Sequence, residues 1–535
     1  MKSITLFLFA LIAIIAIVNG QSPNIVPLPQ SLNYGSTSVS VNPAAFKIAT
    51  TSSSTLLGVA IKRYQGLFFL FDGAVQTAPA LTLNVQVASD NEDLYLGVDE
   101  SYTIVANTGS LTLSANTVFG AMRGLETFAQ LISYDPIGNA YSIPYTPIKI
   151  VDSPRFPWRG FMVDSARHFL PKNFILHIID ALGFNKFNVL HWHLVDAVSF
   201  SVQSTTYPNL TKAAYFPTAI YTHDDIEEVV AYAKTYGIRV IPEFDIPGHT
   251  GSWGVGYPEL LASCPNYAAN VNNLALNPSL PYTYNFLQNL FAEMTTVFPD
   301  EYFHVGGDEV VFGCWQEDPS IVQWMNNNNF NLVDVEQYFE DQLDTILGTL
   351  NRTKLMWNDP FQNGVNIKPG TLIQIWDSYS IVQQIVDAGF KALVSTTWYL
   401  DKQDPANNIH YEWQDTWRDF YAADPYNNIT TNQDNIIGGE ACMWAEQVHQ
   451  LNWDVRVWPR SIAIAERLWS DQSVNNPVTA LPRIEQYTCL LGNRGVASGP
   501  LMPDFCYMSN DFSGPLVKAI DPLPKHLIKK ILGKN

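Results

Sequence analysis

The stretch FNVLHWHLVD, residues 187–196, is a run of apolar residues that ends in polar side chains. Seven other stretches have the same character, and amphipathic segments of helical length lie between most of them. This alternation indicates βα units and a parallel sheet. The other strand candidates are GFMVDSARH (160–168), IRVIPEFDIPGH (238–249), YFHVGGDE (302–309), LMWND (355–359), LIQIWDS (372–378), ALVSTTWYLD (392–401) and IIGGEACMWAE (436–446). Eight parallel strands with intervening helices predict a (β/α)₈ TIM barrel.

The helical segments of this barrel are visible between most of the strands. Between LMWND and LIQIWDS lies only PFQNGVNIKPG (360–370), which is too short and too rich in Gly and Pro for an ordinary helix. We therefore expect one barrel helix to be short or missing. An open doubly wound sheet is the alternative fold, but the chain lacks the Gly-rich phosphate-binding turn typical of that fold.

The region before the barrel has a different sequence pattern. In residues 21–152 short β-rich pieces are followed by the helix-like NTVFGAMRGLETFAQLIS (116–133). We expect a smaller α+β domain there, a catalytic barrel domain over 153–510 and a C-terminal tail over 511–535. The tail is basic and semi-apolar, and the sequence suggests no function for it.

The first 20 residues resemble a secretory signal peptide. One Lys precedes an apolar run, and the small Gly20 marks the expected cleavage site. A membrane anchor is the alternative, but the run is short for a bilayer span, and no later segment is long and apolar enough to cross one. We expect a protein of the secretory pathway.

Charge and cysteine content agree with export. The formal net charge of −20 argues against nucleic-acid binding, which needs basic surfaces. Five cysteines in an exported chain suggest two disulfides and one free thiol. Cys489 and Cys506 close a short loop, Cys264 and Cys314 lie in neighbouring loops of the barrel, and Cys442 is the candidate for the buried free thiol. Sequons predict N-glycosylation at Asn209, Asn351 and Asn428.

Each strand candidate carries its polar residues at its C-terminal end, the face where barrel enzymes build active sites. The adjacent acids Asp308 and Glu309 follow Gly306 and Gly307 in this position. Alternation along a regular strand would send the two acids to opposite faces, but the glycines allow the backbone to leave the pleat. Paired carboxylates at a barrel mouth suggest glycoside hydrolysis, whereas a solvated acidic turn is the bland alternative.

Six motifs make the chain resemble a family 20 glycoside hydrolase, a β-N-acetylhexosaminidase of the lysosomal eukaryotic type. They are RHFLP (167–171), FNKFNVLHWHLVD (184–196), PEFDIPGHT (242–250), GGDE (306–309), WYLD (398–401) and GGEACMWAE (438–446). The resemblance runs over nearly the whole chain. It implies a retaining enzyme that releases terminal GlcNAc and GalNAc from glycoproteins, glycolipids and oligosaccharides, without a cofactor, in the lysosome or after secretion. It leaves a homodimer open.

The resemblance also implies roles for individual residues. Glu309 would be the general acid and base, and Asp308 would orient the substrate's 2-acetamido group, which acts as the nucleophile. Tyr399 would donate a hydrogen bond to the acetamido oxygen, and Asp196 and His249 would form a relay with Glu309. The pocket walls would be Trp357, Trp376 and Trp444, and sugar hydroxyls would bind Arg167, Asp401 and Glu446.

Alternatives remain both for individual residues and for the function. His191 and His193 share a strand face at metal-ligand spacing, although hydrogen-bonding histidines are favoured and no metal is expected. In animal members of the family that the chain resembles, the residues at Asp401 and Lys402 differ between forms that accept and forms that reject anionic sugars. By that resemblance, Asp401 argues against an anionic terminal sugar and Lys402 argues for one. An inactive glycan-binding barrel and a glycosidase with an enzyme nucleophile are the rival functions.

Overall fold

The computed structural model of the protein describes residues 22–74, 78–402, 416–508 and 523–534. Within these ranges the strands form a seven-stranded sheet and a nine-stranded sheet that closes into a barrel. The predicted architecture, a TIM barrel preceded by a smaller α+β domain, is therefore confirmed. The predicted signal peptide lies outside the described residues.

The N-terminal domain packs two helices on a mixed sheet. Its strands are β1 (Ser31–Val41), β2 (Lys47–Thr50), β3 (Thr82–Val87), β4 (Tyr102–Asn107), β5 (Ser110–Ala115), β6 (Ser133–Asp135) and β7 (Ala140–Asp152), and its helices are α1 (Thr55–Leu67) and α2 (Val118–Leu131). The strand order is β1-β7-β4-β5-β3-β2, with β6 paired to β7. Burial alternates along β4, so the apolar face of the sheet packs on the helices.

Helix α2 lies between this sheet and the barrel, and an ion-pair cluster fixes the two domains together. The Arg123 guanidinium is 2.8 Å from Glu100 and donates to the backbone carbonyls of Phe187 and Gly237. Glu100 also pairs with Arg159 of the first barrel strand at 2.7 Å. These partners precede or begin barrel strands, so the N-terminal domain docks on the barrel face opposite the strands' C-terminal ends.

The barrel contains all eight strands expected from the sequence. They are β8 (Trp158–Asp164), β9 (Val189–Asp196), β11 (Arg239–Phe244), β12 (Tyr302–His304), β13 (Thr353–Trp357), β14 (Leu372–Ile375), β15 (Lys391–Val394) and β16 (Ile436–Met443); the two-residue β10 (Ser199–Phe200) forms a hairpin with β9. Neighbouring barrel strands are parallel, and β16 pairs with β8 to close the ring. Closure brings eight C-terminal strand ends around one mouth.

Helices surround the barrel and follow the expected segments. They are α3 (Lys172–Phe184), α4 (His223–Lys234), α5 (Gly251–Gly256), α6 (Pro281–Met294), α7 (Phe312–Glu317), α8 (Pro319–Asn328), α9 (Leu332–Thr349), α10 (Asp359–Asn363), α11 (Tyr379–Asp387), α12 (Trp417–Ala422), α13 (Trp453–Val457) and α14 (Arg460–Trp469). Only the five-residue α10 separates β13 from β14. The short helix agrees with the sequence expectation.

Two further helices complete the chain. Helix α15 (Pro477–Asn493) follows the barrel, and α16 (Lys525–Ile531) lies in the described part of the tail. Ile528 and Ile531 of α16 are buried in the apolar core of the N-terminal domain. On its other side, α16 contacts α4, where Lys525 pairs with Asp224 at 3.2 Å.

The cysteines pair as the sequence predicts. Cys264 is bonded to Cys314 and Cys489 to Cys506, with Cα atoms 4.9 and 5.3 Å apart. Cys442 is buried and carries a free thiol. Asn351 and Asn428 are exposed and Asn209 is half-buried, so their glycosylation stays a prediction.

No helix within the described ranges combines the length and the apolar character that crossing a membrane requires.

Candidate active site

A pocket of about 220 Å³ opens at the mouth formed by the C-terminal strand ends. Ten of the eleven side chains for which the sequence predicts catalysis or substrate binding line it: Arg167, His249, Asp308, Glu309, Trp357, Trp376, Tyr399, Asp401, Trp444 and Glu446. The eleventh, Asp196, lies one shell deeper, behind His249. Residues from seven of the eight strand ends therefore meet in one cavity.

The two adjacent acids enter this pocket together because the chain bends sharply before them. Strand β12 ends at His304, and Gly306 and Gly307 follow with φ angles of +69° and +97°. Glu309 itself has a φ of +52°, a conformation that non-glycine residues rarely adopt. The backbone thus leaves the pleat and brings both Asp308 and Glu309 to the cavity, whereas a regular strand would separate them.

Glu309 sits at the open side of the pocket. Its side chain is 62% exposed, and its Oε2 lies 3.4 Å from His249 Nε2. The other ring nitrogen of His249 lies 3.6 Å from the buried carboxylate of Asp196. Contact with His249 holds the pKa of Glu309 below its usual value, although partial burial opposes this. The three side chains of the predicted relay therefore lie next to one another at ion-pair distances, and the relay itself stays a prediction.

Asp308 is in a drier setting than its neighbour. Its side chain is 13% exposed, and burial raises the pKa of Asp308 to about 7, with Asp359 and Glu243 acting in the same direction and His249 against it. Burial and the charge of Asp308 also raise the pKa of Asp245 well above its usual value. The two carboxyls repel, so the charge of each disfavours ionisation of the other.

Aromatic side chains form the walls of the pocket. The rings of Trp357 and Trp444 have centroids 6.0 Å apart. Tyr399 is only 8% exposed. Burial raises the pKa of Tyr399 well above its usual value, so its hydroxyl stays a hydrogen-bond donor. Trp376 donates its indole N–H to Asp359 at 2.8 Å. Three indoles and a phenol therefore surround a space suited to a small apolar group.

The opposite side of the pocket is polar and charged. The Arg167 guanidinium is 2.7 Å from Asp196 and 3.9 Å from Glu446, and it lies over the Trp444 ring at 4.8 Å. Burial opposes its charge, but Asp164, Asp196 and Glu446 raise the pKa of Arg167 further. Arg167 is therefore a cation held in the pocket wall by the carboxylates around it.

Asp401 and Lys402 belong to the same rim. Burial raises the pKa of Asp401, and Lys402 lies over the Tyr399 ring with Nζ 4.8 Å from its centroid. Asp401 faces the pocket, whereas the pocket lining does not include Lys402.

Sequence reasoning missed three acids that contact the predicted residues. Asp359 accepts the backbone N–H of Glu309 at 3.1 Å as well as the Trp376 indole. Asp245 lies against Gly306, where an added Cβ would approach its Oδ1 to 1.8 Å. Glu243 lies fully buried beneath the pocket. Asp245 and Glu243 stand in the quoted PEFDIPGH, and acids inside an apolar strand were a signal for them.

His191 and His193 were the candidates for a zinc site. The ring nitrogens of both histidines face carboxylates. His191 lies 3.0 Å from Glu440 through Nδ1 and 3.0 Å from Glu243 through Nε2. His193 contacts Glu243 at 2.5 Å and Asp196 at 3.1 Å. Both histidines therefore act in a hydrogen-bonded and ion-paired network.

The chain is similar to known families and proteins along most of its length. The family described as "Glycosyl hydrolase family 20, catalytic domain" matches residues 156–472, and "beta-acetyl hexosaminidase like" matches residues 25–131. The beta-hexosaminidase subunit A1 of Dictyostelium discoideum is 58% identical over the full length of both chains. The human beta-hexosaminidase subunit beta is 36% identical over 91% of this chain and 90% of its own length.

Solved structures with the same fold include two from bacteria. A chitobiase from Flavobacterium johnsoniae has a TM-score of 0.77 and 28% identity, covering 88% of this chain and 73% of its own. An N-acetyl-beta-hexosaminidase from Streptomyces plicatus has a TM-score of 0.72 over 90% of this chain and 97% of its own. At 23% identity, the second likeness concerns the fold alone.

Proposed function

Because this chain belongs to glycosyl hydrolase family 20 and is a β-N-acetylhexosaminidase, we propose that its pocket works by substrate-assisted catalysis. The enzyme hydrolyses terminal GlcNAc, and the proposal extends this to terminal GalNAc and to retention of anomeric configuration. One observation carries it: two adjacent acids, Asp308 and Glu309, both line one pocket whose walls are indoles.

In the first step the substrate's acetamido oxygen bonds to the anomeric carbon while the bond from that carbon to the leaving oxygen breaks. Glu309 gives its proton to that oxygen. In the second step Glu309 takes a proton from a water molecule, whose oxygen attacks the anomeric carbon and reopens the oxazolinium ring. Two inversions at one carbon give net retention.

Asp308 is the residue that makes the acetamide a usable nucleophile. An anionic Asp308 accepts the acetamide N–H, which draws electron density toward the carbonyl oxygen and stabilises the positive ring that forms. Burial raises the pKa of Asp308 and so disfavours the anion, but once Asp308 is ionised its charge acts more strongly in a dry site than it would in water. Tyr399 donates to the carbonyl oxygen, and the indoles hold the amide against the anomeric carbon.

Glu309 has to alternate between acid and base. In the free enzyme its contact with His249 favours the anion. A sugar that fills the pocket displaces water from this half-exposed carboxyl and favours its neutral, proton-donating form. Asp196 holds His249 in place, so the relay supports both states of Glu309.

The pocket size and its polar side support release of single terminal residues. A volume of about 220 Å³ is below that of typical drug-sized pockets and suits one monosaccharide. Arg167, Asp401 and Glu446 offer donors and acceptors to the hydroxyls of that residue. With Asp401 facing the pocket, we expect weak use of sulfated terminal sugars.

The decisive experiment compares aryl β-glycosides that differ only at position 2. The proposal expects rapid cleavage of 2-acetamido sugars and turnover of the matching 2-hydroxy sugars that is lower by several orders of magnitude. Equal turnover of both would show an ordinary enzyme nucleophile. Binding without turnover of either would show a glycan-binding barrel.

Location and assembly form part of the proposal. The two disulfides and the hexosaminidase relatives support a secretory-pathway protein, and we place its work in the lysosome, with some enzyme secreted. Its partners are the glycans of glycoproteins, glycolipids and oligosaccharides. Enzyme activity in purified lysosomes, with a mass shift on removal of N-glycans, is the expected result, and activity confined to the cytosol would contradict it.

A further inference from the structure

A cluster of charged side chains fills the barrel axis directly beneath the pocket, and the proposed function does not use it. The cluster, called here the inner cluster, consists of His191, His193, Glu243, His304 and Glu440. Each member is at most 1% exposed. Burying several ionisable groups is costly unless they are paired, so this arrangement calls for a specific role.

Each carboxylate oxygen of Glu243 contacts a different part of the site above it. Its Oε1 accepts the indole N–H of Trp357 at 2.8 Å, and Trp357 is one wall of the pocket. Its Oε2 accepts a hydrogen bond from His193 Nδ1 at 2.5 Å, and Nε2 of His193 lies 3.1 Å from Asp196. One carboxylate thus connects the acetamide wall with the relay that ends at Glu309.

The charges of the cluster support an anionic Glu243. Burial opposes its charge, but the surrounding histidines, His193 above all, hold the pKa of Glu243 well below its usual value. His304 stays neutral, since burial lowers its pKa and its Nδ1 accepts the backbone N–H of Gly306 at 3.0 Å. A bare Nδ1 of His304 beside Oε1 of Glu243, 3.3 Å away, leaves Trp357 as the donor to that oxygen.

We propose that Glu243 is a positioning residue that sets the Trp357 indole for acetamide attack while holding the His193–Asp196 arm of the acid/base relay. The inference rests on the substrate-assisted mechanism. Without the carboxylate charge, the indole N–H has a weaker acceptor and the ring can turn. His193 then loses its strongest counter-charge and no longer fixes Asp196.

Glu440 offers a matched control at the other end of the cluster. It is also fully buried, it lies 3.0 Å from His191, and it accepts the indole N–H of Trp158 and the amide of Gln374. Its contacts do not include Trp357 or His193. Glu440→Gln therefore disturbs a similar buried charge without direct contact with Trp357, His193 or Asp196, and it reaches Glu243 through His191.

The test uses the full chain and substrates whose N-acyl group carries zero to three fluorines. Fluorine weakens the carbonyl oxygen as a nucleophile, so log kcat/KM falls with fluorination in proportion to how far the acetamide takes part. Glu243→Gln should lower kcat/KM of the unfluorinated substrate about 10- to 100-fold, because small misplacements of reacting groups cost that much. It should also flatten the fluorine dependence, whereas Glu440→Gln keeps the wild-type slope.

A second variant keeps the inference testable if Glu243→Gln does not fold. Trp357→Phe keeps an aromatic face but removes the indole N–H, and it should flatten the slope in the same way. In the double variant the two effects should be less than additive, since both break one hydrogen bond. A wild-type slope in Glu243→Gln or in Trp357→Phe, or equal flattening in Glu440→Gln, would overturn the inference. A zero slope in the wild type would instead refute the substrate-assisted mechanism itself.

Discussion

Replacing Gly306 by alanine tests the bend that brings the two acids into one pocket. Gly306 has a φ of +69°, and the left-handed region costs an L-residue roughly 1–2 kcal/mol. The added Cβ would also come within 1.8 Å of Asp245 Oδ1 and 2.8 Å of the Asp245 backbone. Asp245 is 1% exposed and has little room to move, so overpacking adds about 1–3 kcal/mol.

Gly389→Ala is the matched control for this change. Gly389 has a φ of +90°, but a Cβ added there would meet nothing within 4 Å among the described residues. It lies between α11 and β15, at the barrel end opposite the pocket. The control should therefore lose only the backbone contribution, about 1–2 kcal/mol, and keep its activity.

Urea unfolding and kcat/KM with an aryl 2-acetamido glycoside measure the two effects. We expect Gly306→Ala to lose about 2–5 kcal/mol of unfolding free energy in total and at least about tenfold in kcat/KM, because Asp308 and Glu309 are displaced. Equal stability losses in the two variants, or full activity in Gly306→Ala, would refute the role assigned to the bend.

Three further predictions concern neighbouring groups. Glu309→Gln should lower kcat by about 10²–10⁴-fold with an unchanged melting temperature, since the side chain is 62% exposed. A substrate with a dinitrophenyl leaving group, which needs no proton, should recover most of the loss. An equal loss with this substrate and with one whose leaving group needs a proton would contradict the acid role. Asp359→Ala removes the acceptor of both the Trp376 indole and the Glu309 N–H, so kcat/KM should fall about tenfold or more. Unchanged kinetics would show that Asp359 does not position Trp376 and Glu309 for catalysis. Burial opposes the charged form of His191, but Glu440 and Glu243 raise the pKa of His191 to about 9. The stabilising charge of His191 is therefore complete below about pH 6.5 and is lost as pH rises through 9. Wild type should therefore exceed His191→Gln in unfolding free energy by about 3 kcal/mol more at pH 6 than at pH 10, and a pH-independent difference in urea unfolding would contradict it.

The strands, the barrel and the pocket lining were predictable because each depends on local pattern. Apolar runs ending in polar residues identify the strands, and closure alone then brings those ends together. The bend at Gly306 and Gly307 was also predictable, since only glycine enters positive φ without cost. Asp196 was expected in a relay with His249 and lies 3.6 Å from it, although it does not line the cavity.

The contacts of Glu243 were not predictable, because they depend on register between strands that are far apart in sequence. In the parallel ladder Glu243 lies opposite His193 on β9 and opposite His304 on β12. A shift of one residue would turn Glu243 to the other face, and no local signal in PEFDIPGH fixes that register. Asp359 was missed because its role depends on the short helix α10, which starts at that residue.

The position of helix α16 has a consequence for how the chain acquires its structure during synthesis. Ile528 and Ile531 complete the apolar core of a domain whose last strand ends roughly 370 residues earlier. At about 5–20 residues per second, the ribosome takes roughly 20–75 seconds to translate that interval. The first domain therefore leaves the ribosome before α16, which covers part of its core, has been made. A premature stop just before α16 would release a polypeptide with its barrel translated in full and an apolar surface left open to chaperones and proteases.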